Sequence, residues 1–278
     1  MRLSRRDALF ALAGSTCACP AGEPPPASVV RAVPNAAAPP ATGAAAGSVP
    51  KVSGSSLGGL EVVTLGPLGP EDKGGKLVVL LHGWGARGDD LVPLAQRLAR
   101  PGVRFLVPVG PLPEARGGRA WWHLDQRPAQ AVSDEPPPGH QPHRDVSAAR
   151  AAVQALLRDA RQRYAPESVA LVGFSQGAML ALDVAIAGDP EVDRVAVLSG
   201  ALLVDSLSAL RAPKARRAAV FVAHGLRDPM LPFRGAERIK AILEPHGHPV
   251  TWLPFDGAHE IPDAVVAALR EFVFHAAP

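Results

Sequence analysis

From Leu60 onward, short apolar runs alternate with longer stretches whose apolar residues recur at helical spacing. "KLVVLLHG" (76–83) is a continuous apolar run ending in glycine, as expected of a strand buried on both faces of a sheet. "LEVVTLG" (60–66) alternates more weakly. "VRFLVPVG" (103–110), "SVALVGFS" (168–175), "RVAVLSG" (194–200), "AAVFVAHG" (218–225) and "VTWLPFDG" (250–257) read as further strands. Between them, helices are predicted over 88–100, over 145–164, from Gln176 onward, over 234–247 and over 261–274. Asp89 and Asp90 fall near the start of the first of these, where a negative charge favours the helix dipole. Such alternation predicts an α/β fold: a mostly parallel central sheet with helices on both faces. In open sheets of that kind, ligands bind beyond the carboxyl ends of the strands. The predicted strands end at His82-Gly83, Gly110, Ser175, Gly200, Gly225 and Gly257, so polar and glycine residues collect along that edge.

Two stretches break the pattern. Residues 111–145 are proline-rich and nearly devoid of aliphatic side chains, and a loop of that length inside a domain is functional or disordered. It carries Trp121 and Trp122. Two adjacent tryptophans in a polar loop either form the rim of a binding site, contacting substrate, or pin the loop to the core. The other stretch is N-terminal. Residues 1–19 read as an export signal: Arg2, Arg5 and Arg6, then a short apolar run, then small residues. "SRRDAL" resembles a twin-arginine signal, so a periplasmic or secreted location is expected. The apolar run is far too short to span a membrane as a helix. Residues 20–56 consist almost wholly of Ala, Pro, Gly, Ser and Val, too little apolar surface to offset the entropy of ordering, and read as a linker. A folded catalytic domain is expected over 57–278.

Composition narrows the class. The chain has 278 residues, 47% hydrophobic and 20% charged, enough to build a sizeable core. Its formal net charge of +3 comes from scattered arginines, with no basic stripe interleaved with aromatics, so nucleic-acid binding is not expected. Cys17 and Cys19 are the only cysteines, so no disulfide can form inside the folded part. Either Cys19 carries a lipid anchor, which would be the chain's sole membrane contact, or both cysteines flank a cleavage site.

The chemistry centres on "SVALVGFSQGAML" (168–180), where a strand-like run becomes a helix-like one across Gly173-Phe174-Ser175-Gln176-Gly177. This is a G-x-S-x-G nucleophile elbow in the strand–turn–helix setting that the motif requires. A serine hydroxyl is a weak nucleophile; it needs a base, and the base needs an orienting acid. On this architecture the acid and then the histidine follow the serine, each after a strand. Asp228 and His259 occupy those loops. Asp205, after the preceding strand, is the rival acid, and Asp256 reads as a turn residue. A tetrahedral intermediate needs two preorganised N–H donors. Gln176, after the nucleophile, should supply one, and Trp84, in the glycine-rich turn His82-Gly83-Trp84-Gly85, the other. His123, His140, His143, His246 and His248 read as surface polar residues. His140-x-x-His143 lacks a suitable third ligand, and neither a metal nor a cofactor is expected.

"LHGWGARGDDL", "GFSQGAML", "HGLRDPMLPF" and "DGAHEI" resemble the phospholipase/carboxylesterase family of α/β-hydrolases, which includes the acyl-protein thioesterases; the similarity runs from about Leu60 to Phe274. The resemblance implies an α/β-hydrolase fold, with Ser175 as nucleophile, Asp228 as acid, His259 as base, and Trp84 and Gln176 at the oxyanion hole. "RAWWHLD" is similar to the family's Trp-Phe-Asp motif bordering the acyl site. Two departures bear on substrate access: Trp84 stands where an aliphatic residue is common, and the 111–145 loop is unusually proline-rich. The expected function is hydrolysis of a small-molecule carboxylic ester through an acyl-enzyme. A serine peptidase, a feruloyl or polyester hydrolase, and a non-catalytic binding module remain as alternatives.

Overall fold

A computed structural model describes residues 52–66, 73–124, 128–212 and 217–274. The expected export signal, most of the expected linker and Asp125 of the tryptophan motif lie outside the described residues. Among the described residues, ten strands are present: β1 (Val52–Leu57), β2 (Leu60–Leu65), β3 (Lys76–Leu81), β4 (Val103–Pro108), β5 (Leu112–Pro113), β6 (Arg119–Ala120), β7 (Ser168–Phe174), β8 (Arg194–Leu198), β9 (Ala219–Gly225) and β10 (Val250–Phe255). Six α-helices accompany them: α1 (Val92–Leu98), α2 (Arg144–Tyr164), α3 (Gln176–Ala187), α4 (Leu207–Arg211), α5 (Phe233–Leu243) and α6 (Asp263–Phe274). Eight strands form one sheet in the order β1-β2-β4-β3-β7-β8-β9-β10, parallel from β4 to β10, with β1 and β2 antiparallel at one edge.

The continuous apolar runs are explained by two covered faces. Successive strand residues point to opposite sides. Leu77, Val79 and Leu81 of β3, with Leu171, Val195 and Val222 from its neighbours, therefore pack beneath α2, α3, α4 and α5. Val78 and Leu80, with Val172, Ala196 and Phe221, pack beneath α1 and α6. A strand exposed on one face would have alternated in polarity; these do not.

The structure departs from expectation at three places. β1 begins at Val52, inside the segment read as linker, and pairs antiparallel with β2 from Val52↔Leu65 to Leu57↔Leu60. A ladder uses backbone groups, so a composition poor in large side chains does not exclude it. α1 begins at Val92 with Pro93 in its first turn, and neither Asp89 nor Asp90 is in that turn. Proline lacks an N–H and fits a helix start, while Asp90 Oδ2 instead accepts the Gly88 N–H at 3.1 Å. Third, the proline-rich loop is partly structured: β5 and β6 form a small antiparallel pair that brings Trp121 and Trp122 back onto the main body.

Candidate active site

β7 delivers the chain to Ser175, and α3 leaves it at once. Ser175 has φ 54° and ψ −118°, a conformation that ordinary residues avoid. Holding it costs about 1–3 kcal/mol, which the surrounding structure must offset. Two glycines make the turn sterically feasible. A Cβ on Gly173 would lie 2.2 Å from the Gly177 carbonyl oxygen, and one on Gly177 would lie 2.1 Å from the Leu81 carbonyl oxygen. The Ser175 N–H donates to Leu198 O at 2.9 Å, tying the turn to β8. Among the described residues, the backbone N–H groups of Gln176 and Trp84 donate to no other backbone group.

The loops after β9 and β10 bring Asp228 and His259 together. His259 Nδ1 lies 2.7 Å from Asp228 Oδ2. Asp228 Oδ1 accepts the Met230 and Leu231 N–H groups at 2.8 and 2.9 Å. Burial opposes ionisation of this carboxyl, but the His259 hydrogen bond and the two backbone donors outweigh it and hold its pKa below the ordinary value. An ionised carboxylate only accepts, so His259 Nδ1 is the donor of this pair. The Phe174 ring packs on His259 with centroids 4.8 Å apart.

Ser175 and His259 share a cavity of about 210 Å³ lined by Gly83, Trp84, Trp122, Phe174, Gln176, Met179, Met230 and Leu231, among others. The two tryptophans take different roles. Trp122 lines the cavity, whereas Trp121 does not. The Trp121 ring packs on His82 at 5.3 Å and its Nε1–H donates to His82 O at 3.0 Å, so it supports the site from beneath. The Gln176 carboxamide joins them: its Oε1 accepts the Trp121 N–H at 2.9 Å and its Nε2–H donates to Trp122 O at 2.7 Å.

The rejected candidates sit elsewhere. Asp205 accepts the His143 N–H and lies 3.7 Å from His140 Nε2 rather than meeting His259. Asp256 pairs with Arg227. His248, expected at the surface, is buried and hydrogen-bonds Ala218 O. His143 caps α2, its Nδ1 accepting the Asp145 and Val146 N–H groups. Among the described residues, no group of three or more His, Cys, Asp or Glu is arranged to hold a metal ion. Residue spacing does not encode the Gln176 side-chain clamp, the Phe174 ring against His259, or His224 beside Asp228. The signal available for the last was a histidine embedded in the otherwise apolar run "AVFVAHG".

The fold is similar to that of esterase PE8, at 25% identity and TM-score 0.62 over 80% of this chain and 97% of that one. It is also similar to a carboxylesterase from Mesorhizobium loti, at 21% identity and TM-score 0.61 over 81% and 98% of the two chains. SOBER1 of Arabidopsis thaliana aligns at 21% identity and TM-score 0.58 over 72% and 97%. No curated protein matches by sequence. The Phospholipase/Carboxylesterase family model matches residues 68–276, most of the chain. The chain therefore belongs to the phospholipase/carboxylesterase family of α/β-hydrolases and is a carboxylic ester hydrolase.

Proposed function

We propose that the chain hydrolyses small-molecule carboxylic esters through a covalent acyl-enzyme formed on Ser175. The observation that carries this reading is the strained Ser175 turn opening onto a cavity shared with His259, whose Nδ1–H is fixed on Asp228 at 2.7 Å. His259 Nε2 takes the Ser175 proton as the hydroxyl oxygen attacks the ester carbonyl. Asp228 keeps the imidazole in the required tautomer and stabilises its cation. The oxyanion is received by the N–H groups of Trp84 and Gln176, which have no other backbone partner among the described residues. The intermediate collapses, the alcohol leaves with a proton from His259, and water repeats the sequence to release the acid. Trp122, Phe174, Met179, Met230 and Leu231 offer the substrate a largely apolar wall, which suits a neutral acyl or alkyl group.

The test is turnover of a panel of p-nitrophenyl esters. Wild type is expected to hydrolyse at least one of them, and Ser175→Ala to lose about ten-thousandfold or more in kcat. A fluorophosphonate should label Ser175 and fail to label that variant. Equal inertness of the two proteins towards the whole panel would sink the reading. Export remains a proposal resting on residues 1–19, and mass spectrometry of the mature N-terminus tests it together with the fate of Cys17 and Cys19.

A further inference from the structure

His224, at the end of β9, is fully buried four residues before Asp228. Its Nε2 lies 2.9 Å from Leu231 O and 3.2 Å from Asp228 Oδ2. Both neighbours are acceptors, so the ring proton belongs on Nε2. Nδ1 is buried with no hydrogen-bond partner, and a proton there would be stranded. One tautomer is therefore selected by geometry. Burial also pushes the His224 pKa down, ahead of the opposing effects of Leu231 O and Asp228, so the ring stays neutral. The titratable groups acting on His224 are Asp228 and His259. From β10 its register partner is Pro254, and from α5 it meets the Phe233 ring edge-on at 6.1 Å, and neither titrates.

We propose that His224 is a positioning residue that sets the basicity of the base, His259, by placing its Nε2–H beside the carboxylate oxygen that His259 uses. The inference rests on the Ser175–His259–Asp228 reading above. Asp228 Oδ2 receives the His259 Nδ1–H, and His224 Nε2, whose N–H is given to Leu231 O, stands 3.2 Å from that same oxygen. A second positive hydrogen withdraws part of the carboxylate's charge from His259, so imidazolium is stabilised less than by an unshared carboxylate. His224 thereby weakens the hold of Asp228 on the His259 proton. The Leu231 carbonyl, held by the same N–H, keeps the Asp228–Leu231 turn closed, and that turn supplies both backbone donors to Oδ1.

The test compares His224→Gln with His224→Asn. The glutamine amide reaches the position of the imidazole Nε2, whereas the shorter asparagine amide does not. NMR titration of the His259 ring reads its midpoint directly, and the pH profile of kcat/KM on p-nitrophenyl acetate reads its consequence. His224→Asn is expected to raise the His259 midpoint by roughly one pH unit and to move the acidic limb of the profile with it, the rate recovering at higher pH. His224→Gln is expected to hold the wild-type midpoint. In the wild type at neutral pH, ring nitrogen shifts should show His224 neutral with its proton on Nε2. An unmoved midpoint in His224→Asn, an equal rise in both variants, or a charged or Nδ1-protonated His224 in the wild type would overturn the proposal. A merely structural role lowers the rate equally at all pH values and leaves the midpoint in place. If wild type lacked esterase activity but the midpoints shifted as described, the Ser175 mechanism would fall and the coupling would stand.

Discussion

At the scale of single residues, the acid of the site is held by hydrogen bonds to both of its oxygens. Asp228 accepts His259 Nδ1–H on one oxygen and two backbone N–H groups on the other. Its pKa is depressed relative to the unfolded chain, so its contribution to stability has a definite sign. That contribution is present in full above the unfolded carboxylate pKa and is lost as pH falls through the depressed folded value. Asp228→Asn should remove this dependence. Acid unfolding followed by circular dichroism should show wild type and variant converging at low pH and separating as pH rises through the ordinary carboxylate range. Parallel curves across that range would contradict the assignment. Phe174 belongs to the same scale: the motif tolerates many residues between Gly173 and Ser175, and packing on His259 while lining the cavity gives this one its task.

At the scale of elements, α3 carries more of the fold than its twelve residues suggest. Every residue from Gln176 to Ile186 is buried, because the helix lies between the sheet and α2. The cost of that position is a carboxylate in the interior. Asp183 is met by Arg150 of α2 through two hydrogen bonds of 2.6 and 2.7 Å and by the Ser206 hydroxyl at 2.7 Å. Breaking a buried pair from one side strands the other charge. Asp183→Ala should therefore destabilise the protein by about 3–5 kcal/mol in urea unfolding, whereas replacing both Asp183 and Arg150 with apolar residues should cost less than the single change. A single-variant loss below about 1 kcal/mol would place the pair among surface ion pairs of little weight.

At the scale of the whole molecule, the sheet's antiparallel edge rests on β1. β1 covers one side of β2, and Leu57 and Leu60 beside it are buried against α2. Removing β1 would leave β2 as a new sheet edge with unpaired backbone groups, an invitation to self-association. A chain shortened to begin at Gly58 should show a lower midpoint of thermal unfolding and a rise in light scattering compared with one beginning at Lys51. Indistinguishable melting and scattering would show that β1 is dispensable.

Much of this was legible in one dimension. The apolar runs marked β3, β4 and β7 to β9 because two covered faces leave no polar side to interrupt them, while β10, at the sheet edge, is only partly covered. The elbow was legible because a strained turn admits only glycine where a Cβ would strike backbone two ångströms away. The order of Ser175, Asp228 and His259 followed from connectivity, since each lies just beyond a strand. What the sequence could not carry was anything set by contact between distant segments. β1 was hidden because its stabilisation is a backbone ladder rather than a side-chain pattern. The division of labour between Trp121 and Trp122, the reach of the Gln176 side chain to both, and the placement of His224 against Asp228 depend on distances of about 3 Å across loops that no spacing rule encodes. Periodicity records which side of an element faces the core; only the packed tertiary structure decides which polar atom meets which.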